Sequence, residues 1–414
     1  MDKSNLIFLA IPIFFLLVFI EFLYGVLTKK NNYRLNDTFM SIGLGIVSRF
    51  IPILNLGFQA ATFTLIANSF NLKIMPINSW ITIILAFVLY DLCYYWMHRM
   101  HHEYKFLWGT HVVHHHGEEF NLSTAMRQTS TGFLWKWIFF LPMIIIGIPV
   151  QVFVAVGGLN LIYQFWVHTE HIPKLGWMEK IFITPSNHRI HHAKNKEYID
   201  ANYGGVFILW DRIFGTYIEE RDNLKPVYGT VKPIRSWNPV WANIEIFSQM
   251  AKDSFYTQNW KDKLRVWISK TSWRPNDVAV LFPSNPENID LKDKYNPEMN
   301  KIHTWFSWIQ LAALLPLFGV IFITLSNQTY METFIFGFLL LTITTSTSIV
   351  MMNNKIGLWL EFLRSSFVIF VLMGTELVSN TLLISQLFIL HSLINILFVG
   401  ATKVSSINLK TLQT

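Results

Sequence analysis

Residues 80–103 read WITIILAFVLYDLCYYWMHRMHHE, an apolar run that passes directly into a cluster of histidines. The part from Trp80 to Met97 is long and apolar enough to be a transmembrane helix. Three histidines, His98, His101 and His102, follow within five residues of its end. This stretch therefore predicts a membrane span that presents polar ligands at the boundary between lipid and water.

The composition of the whole chain agrees with a membrane protein. The 414 residues are 52% hydrophobic and only 14% charged, whereas a soluble globular protein carries about 25% charged residues. This excludes an ordinary soluble enzyme and a disordered chain. The single cysteine, Cys93, excludes an intrachain disulfide and a cysteine-based metal site. The net charge of +7 suits basic water-facing loops. The sequence lacks the basic stripe that is typical of a nucleic-acid-binding protein.

The order of apolar runs predicts an all-α, multi-span integral membrane protein with a cytosol-facing, histidine-rich helical cap and a C-terminal transmembrane helical bundle. We expect N-terminal transmembrane helices over residues 1–97, and a catalytic core over 98–302 with a transmembrane hairpin at about 132–167. Further transmembrane helices follow over 303–414. Lysine and arginine are frequent between Ile172 and Ile302, which predicts that the active site faces the cytoplasm. Residues 38–70 fit either one span or two, so the side of the N-terminus stays open.

Histidines at helical spacing form the strongest chemical signal. Side chains three or four residues apart lie on one face of a helix, and neutral imidazole is a good ligand for iron, zinc, copper and nickel. So many nitrogens exceed the capacity of one ion and suit two. The predicted metal ligands are His98, His102, His111, His114, His115, His168, His188, His191 and His192.

Other polar residues near these clusters have open roles. His101, His116 and His171 are either supporting or structural residues. Asp91 either orients a ligand imidazole or is a polar residue of the span, and Glu21 is interpreted as a glutamate near the membrane interface. A further set is expected mainly to support the ligands or close the fold: Asn121, Arg127, Asn202, Tyr203 and Asp211.

The spacing of the clusters resembles the fatty acid hydroxylase / sterol desaturase superfamily of integral-membrane di-iron enzymes. Its tripartite pattern HxxxH, HxxHH, HxxHH corresponds to residues 98–102, 111–115 and 188–192. Within the superfamily the chain is most similar to the alkylglycerol monooxygenases. The segments that carry this similarity are 96–100, 108–111, 119–128, 161–170, 184–192, 199–206 and 210–216.

This resemblance implies a di-iron monooxygenase that uses O₂ to hydroxylate a lipid CH₂ next to an ether oxygen. It implies an external electron donor, with tetrahydrobiopterin as the candidate, and a functional glutamate directly after the first box, which is Glu103 here. Zinc or another divalent metal can replace iron in preparations, because imidazole discriminates weakly between these ions. Two departures from the family pattern are the extra His171 and Asn187 in front of His188.

Two alternatives remain at this point. The same metal pair would serve a sterol, fatty acid or carotenoid hydroxylase or desaturase, since the boxes do not distinguish ether lipids from other chains. A metal transporter is disfavoured, because transport sites lie on polar residues within spans, whereas these histidines cluster at the ends of spans.

Overall fold

A computed structural model describes residues 5–54, 65–70, 75–76, 79–283, 293–354, 356–374 and 382–411. These residues are mainly helical and contain no strand beyond isolated bridges such as Tyr104 with Lys270. The predicted all-α class is therefore confirmed. Whether residues 38–70 cross the membrane once or twice depends on residues 55–64, which lie outside the described part.

The helices vary in length from four to 30 residues. Short 3₁₀ turns at Gly132–Leu134, Lys136–Phe140, Gly176–Lys180 and Leu325–Asn327 separate some of them. In chain order the α-helices are α1 (Asn5–Leu27), α2 (Leu35–Leu54), α3 (Trp80–Glu103), α4 (Lys105–Gly109), α5 (Val112–His115), α6 (Leu122–Ala125), α7 (Leu141–Ile145), α8 (Val150–Trp166), α9 (Pro185–His191), α10 (Leu209–Ile213), α11 (Pro239–Tyr256), α12 (Trp260–Ile268), α13 (Asn276–Leu281), α14 (Lys301–Ile323), α15 (Tyr330–Met351), α16 (Gly357–Gly374) and α17 (Leu382–Thr411).

Six helices of the described residues are long and apolar enough to cross a membrane, namely α1, α3, α14, α15, α16 and α17. At a rise of about 1.5 Å per residue, helices of this length match a hydrocarbon core about 30 Å thick. The chain is therefore a multi-pass membrane protein, as the sequence predicts. The helical pair expected at 132–167 is asymmetric, because its first arm is two 3₁₀ turns and the short α7, while its second arm is α8.

The chain divides into two compact units. The first comprises Met1–Arg34, Asn55–Ile234 and Asn243–Lys294, and the second comprises Leu35–Leu54, Arg235–Ala242 and Tyr295–Thr414. The predicted boundaries after residues 97 and 302 stay a prediction.

Helix α3 lies at the centre of the first unit. It packs on α8 and on the 3₁₀ turn before α7, and its Ala86, Cys93 and Met97 share a buried cluster with Met143 and Val152. On another side of α8, Phe14 of α1 stacks on Phe165 with ring centroids 4.0 Å apart. The apolar packing of α1, α3 and α8 thus fixes the segments from which the histidines project.

The second unit contains α2 and the bundle α14–α17, which is joined by a buried polar network. Glu361 of α16 accepts hydrogen bonds from Ser346 of α15 at 2.5 Å and from Asn395 of α17 at 2.9 Å, and it pairs with Arg364. Gln310 of α14 donates to Asn395 at 2.7 Å. Because an unpaired polar group is costly in an apolar bundle, this network holds the four helices in one register.

Candidate metal centre

The nine histidines that the sequence predicts as metal ligands lie in two adjacent groups within the first unit. In each group the ring nitrogens that face inward lie within 4.8 Å of one another, and every residue is buried, with at most 9% exposed surface. The larger group, called group A, is His98, His102, His111, His115 and His191; the smaller, group B, is His114, His168, His188 and His192.

The spacing within each box decides which group a ring joins. Residues i and i+4 point in nearly the same direction from a helix, whereas residue i+3 points about 100° away from i+4. Accordingly His98 with His102 and His111 with His115 stay in group A, and His188 with His192 stays in group B. The central histidines of the two HxxHH boxes, His114 and His191, each join the opposite group. Each HxxHH box therefore contributes rings to both groups.

In both groups, facing ring nitrogens lie close together. Two neutral rings would not adopt such a separation unless a proton or a cation lay between their nitrogens. In group A, Nε2 of His111 lies 3.0 Å from Nε2 of His98 and 3.1 Å from Nε2 of His115. In group B, Nε2 of His168 lies 2.9 Å from Nε2 of His188 and 3.3 Å from Nε2 of His114. Such converging nitrogen lone pairs form a set of donors that fits a transition-metal cation.

Three further Nε2 atoms support this interpretation. They belong to His102, His191 and His192, and they are buried without a hydrogen-bond partner among the described residues. A buried polar atom without a partner costs about 1–3 kcal/mol, which coordination to a metal would offset. The rings of His115 and His192 lie 4.4 Å apart across the two groups, so the two groups are in contact.

Backbone carbonyls orient four of the rings. Nδ1 of His98 donates to the Tyr203 carbonyl at 2.9 Å, and Nδ1 of His191 donates to the Ala201 carbonyl at 3.0 Å. His114 and His168 donate in the same way to the carbonyls of Arg127 and Gln164, at 3.0 and 2.8 Å. A carbonyl can only accept, so these bonds place the proton on Nδ1 and leave the lone pair of Nε2 directed into the group.

Burial also keeps the rings neutral. Desolvation, reinforced for most of them by neighbouring imidazoles, lowers the pKa of the group members that follow α3. The pKa falls to about 3 for His168 and to about 4 for His191. It falls well below the usual value for His111, His114, His115, His188 and His192. At physiological pH protons therefore compete little with a metal for these nitrogens.

Two buried carboxylates fix the loop that supplies the Ala201 and Tyr203 carbonyls. Asp91 of α3 accepts from the backbone N–H of Val206 at 2.8 Å and of Phe207 at 2.9 Å, and also from Trp210 Nε1 and Asn160 Nδ2. Asp91 does not bond a ligand imidazole. It acts on His98 and His191 through this loop.

Asp211 holds the other end of the same loop. It accepts from the backbone N–H of Tyr203 at 2.7 Å and of Gly204 at 2.9 Å, and from Thr216 Oγ1 at 2.7 Å. Asn202, at a positive φ of 58°, donates from Nδ2 to the carbonyls of Asn187 and Ile218. These contacts agree with the supporting roles expected for Asn202, Tyr203 and Asp211.

Glu21 of α1 has a larger role than the sequence indicates. It is buried and accepts from the backbone N–H of Leu122 at 2.7 Å and from the hydroxyls of Tyr33 and Thr169. It thereby joins the first span to the segment after the second box and to the residue after His168. The sequence signal was a carboxylate inside an apolar span, which is costly unless it is paired.

The remaining predicted residues lie around the two groups. Glu103 pairs with Arg99 at 2.7 Å and with Lys270 at 3.8 Å, outside both groups. Nδ1 of His101 donates to the Met97 carbonyl at 2.6 Å, and the ring of His171 packs edge-on against Tyr24. Asn121 caps α6 and donates to the Asn32 carbonyl at 2.8 Å.

Comparison with known proteins points to the same part of the chain. The family model described as fatty acid hydroxylase matches residues 83–216. Alkylglycerol monooxygenase of Xenopus tropicalis is 32% identical over 374 residues, which cover 89% of this chain and 82% of that protein. The human alkylglycerol monooxygenase is 34% identical over 311 residues, covering 75% and 69%. The ornithine lipid hydroxylase OlsE of Rhizobium tropici is 28% identical over 136 residues, covering 33% and 41%. No solved structure matches the chain.

Removing one ring from either group should reduce the metal content. We expect His111→Ala in group A and His188→Ala in group B each to lower bound iron from about two ions to about one per chain, because each variant leaves one group intact. Elemental analysis of purified, anaerobically reconstituted protein measures this. His116→Gln, next to His115 but outside both groups, is the matched control and should keep its iron. Full iron content in both alanine variants would contradict the assignment.

Asp211→Asn tests the support of the loop. The amide retains one acceptor oxygen and adds donors opposite the N–H groups of Tyr203 and Gly204, so the Tyr203 carbonyl should shift from His98. We expect metal affinity to fall roughly 10–100-fold, measured by competition with a chelator. Asp222→Asn, at an exposed side chain, should leave the affinity unchanged. Equal affinities in the two variants would show that the loop does not orient the ligands.

Proposed function

The chain belongs to the fatty acid hydroxylase family, within its alkylglycerol monooxygenase branch, and we propose that it is an iron-dependent membrane monooxygenase that cleaves ether lipids. The observation that carries the proposal is the pair of buried histidine groups at the end of a membrane span. Similarity to alkylglycerol monooxygenases over 89% of the chain supports the choice of an alkylglycerol as substrate.

The nine imidazoles would hold two iron ions, five of them around one ion and four around the other. Neutral nitrogen ligands also accept zinc, so preparations can carry that metal instead. When bound, the iron pair supplies the activation of O₂ and the removal of hydrogen from an unactivated lipid CH₂. The protein holds the imidazoles in place through Asp91, Asp211 and the loop between Ala201 and Phe207.

The location of the groups suits a lipid substrate. His98 and His102 lie in the last turns of α3, where this span ends. The histidines therefore lie at the edge of the apolar layer that would hold the acyl chain of a lipid substrate. Burial of all nine rings excludes bulk water, which restricts oxidation to a lipid CH₂ that enters the centre.

The chemistry of an ether accounts for cleavage after one hydroxylation. One oxygen atom of O₂ enters the C–H bond and the other becomes water, while an external donor supplies two electrons and two protons. If the hydroxylated carbon carries the ether oxygen, the product is a hemiacetal. It collapses to a fatty aldehyde and a glycerol derivative without further action by the protein.

We propose that Glu103 contacts the electron donor, for which tetrahydrobiopterin is the candidate. Its carboxylate lies outside both histidine groups and is held by Arg99, which also donates to the Tyr95 hydroxyl at 3.2 Å. It lies at the end of α3, one turn beyond Arg99 and next to His102. This position supports contact with a polar donor that approaches from the water side, which we propose is the cytoplasm.

A turnover assay with defined lipids tests the proposed activity. Iron-loaded protein in vesicles should convert an alkylglycerol to a fatty aldehyde when O₂ and tetrahydrobiopterin are both present, because the ether oxygen makes the hydroxylated product unstable. His111→Ala should form no aldehyde. Conversion of a sterol or free fatty acid, with the alkylglycerol untouched, would contradict the ether proposal and favour the alternative hydroxylase or desaturase. Absence of O₂ consumption with every lipid would contradict a monooxygenase.

Glu103→Gln tests the proposed contact with the donor. The variant removes the charge at constant size, and a lost charged hydrogen bond to the donor corresponds to an affinity about tenfold or more weaker. We expect a higher KM for tetrahydrobiopterin and unchanged iron content. Lys270→Gln removes only the distant, exposed partner of Glu103 and should have little effect. Loss of iron in Glu103→Gln would instead identify a structural role.

A further inference from the structure

Helix α12 exposes a continuous apolar stripe. Trp260, Leu264 and Ile268 are spaced four residues apart and are 79%, 74% and 74% exposed. At 100° per residue they fall within one sector of the helix surface, which Trp267 extends. Large exposed apolar patches in a folded protein mark sites of contact with a membrane or a partner.

The opposite side of α12 is fixed to the first unit, so the exposed stripe is a stable surface. Val266 is fully buried, and Asn259 caps the helix by accepting from the N–H of Lys261 at 2.9 Å. Nζ of Lys263 donates to the carbonyls of Ser254 and Phe255, each at 3.0 Å. The helix therefore presents the stripe outward in a defined orientation.

Hydrogen bonds place the end of α12 at the level where a span ends. The backbone N–H of Lys105 donates to the Ser269 carbonyl at 3.0 Å, and the N–H of Thr271 donates to the Glu103 carbonyl at 2.9 Å. Nζ of Lys105 also donates to the Trp273 carbonyl at 2.6 Å. Glu103 is the last residue of α3, a helix about 36 Å long in a hydrocarbon core about 30 Å thick. A helix of this length would bring its last turn, and with it the end of α12, to the level of the headgroups.

The charges around the stripe favour a lipid surface over a protein partner. Lys261 is exposed and lies beside it in the helical projection, and Lys270, with its side chain 63% exposed, follows the helix. Lysines that flank an apolar face can extend their amines to anionic headgroups while their methylene chains stay in the apolar layer. Tryptophan, present twice in the helix, is enriched at the membrane interface.

We propose that α12 lies in the plane of the membrane, with Trp260, Leu264 and Ile268 inserted at the boundary between headgroups and acyl chains of the leaflet where α3 ends. The occupant of this surface is lipid, and anionic lipid in particular. Since α12 is bonded to the residues that follow His102, the inserted helix also sets the depth of the histidine centre in that leaflet. This inference does not depend on the proposed substrate.

Nitroxide labels on the full chain test the proposal. Cys93 is buried and is the single cysteine, so a Cys93→Ala background permits one label each at Leu264→Cys and Ile268→Cys. In vesicles of phosphatidylcholine and phosphatidylserine, we expect both labels to collide more often with O₂, which concentrates in lipid, than with a water-soluble nickel complex. The lipid reference is Leu16→Cys on α1, and the aqueous reference is Asp222→Cys, both at exposed positions.

Two outcomes would overturn the proposal. If the labels on α12 collide with the nickel complex as often as the label at Asp222→Cys does, the stripe faces water. Labels shielded from both reagents would show that another protein or a second copy covers it. As a second variant, Leu264→Glu should move the label at Ile268→Cys towards the aqueous reference. Unchanged iron content in that variant would show that the chain still folds.

Discussion

The mutual burial of nine imidazoles is the constraint on which the first unit depends. Their Nε2 atoms converge to separations such as 2.9 Å between His168 and His188, with burial holding the rings neutral. Four of the rings have their proton on Nδ1 and direct the lone pair of Nε2 inward. Neutral rings in such contact therefore cannot all satisfy one another. A pair of cations would resolve this conflict, and the surrounding elements hold the lone pairs where those cations would bind.

Rigid support of the rings comes from carboxylates that never touch them. Asp91 and Asp211 hold the loop whose carbonyls orient His98 and His191, while Glu21 joins the first span to the segments that follow the second box and His168. Each carboxylate is buried and bonded to backbone or hydroxyl donors, so each one replaces lost water by fixed hydrogen bonds. These bonds couple the membrane spans and the loop to the histidine groups. A shift of α1 or α3 would therefore change the positions of the histidine rings.

The sequence predicts the identity of the nine converging histidines and the helical, multi-span architecture, because both depend on local periodicity. It does not predict that His114 and His191 exchange groups, since that depends on how separate helices face one another. The roles of Asp91 and Glu21 could not be predicted from the sequence either. Asp91 bonds Val206, 115 residues away, and Glu21 bonds Leu122, 101 residues away. The apolar stripe on α12 has helical periodicity in the sequence, which fits a buried face as well as an exposed one. The structure shows that the stripe is exposed and that Val266 lies on the buried face.

The state of the iron in the purified chain tests the central claim most directly. We would load the protein anaerobically with ⁵⁷Fe and record its Mössbauer spectrum before and after exposure to O₂. Two irons, one in each histidine group, predict equal amounts of two high-spin ferrous sites, both of which O₂ oxidises. A single iron per chain, or two irons of which O₂ oxidises only one, would contradict the account.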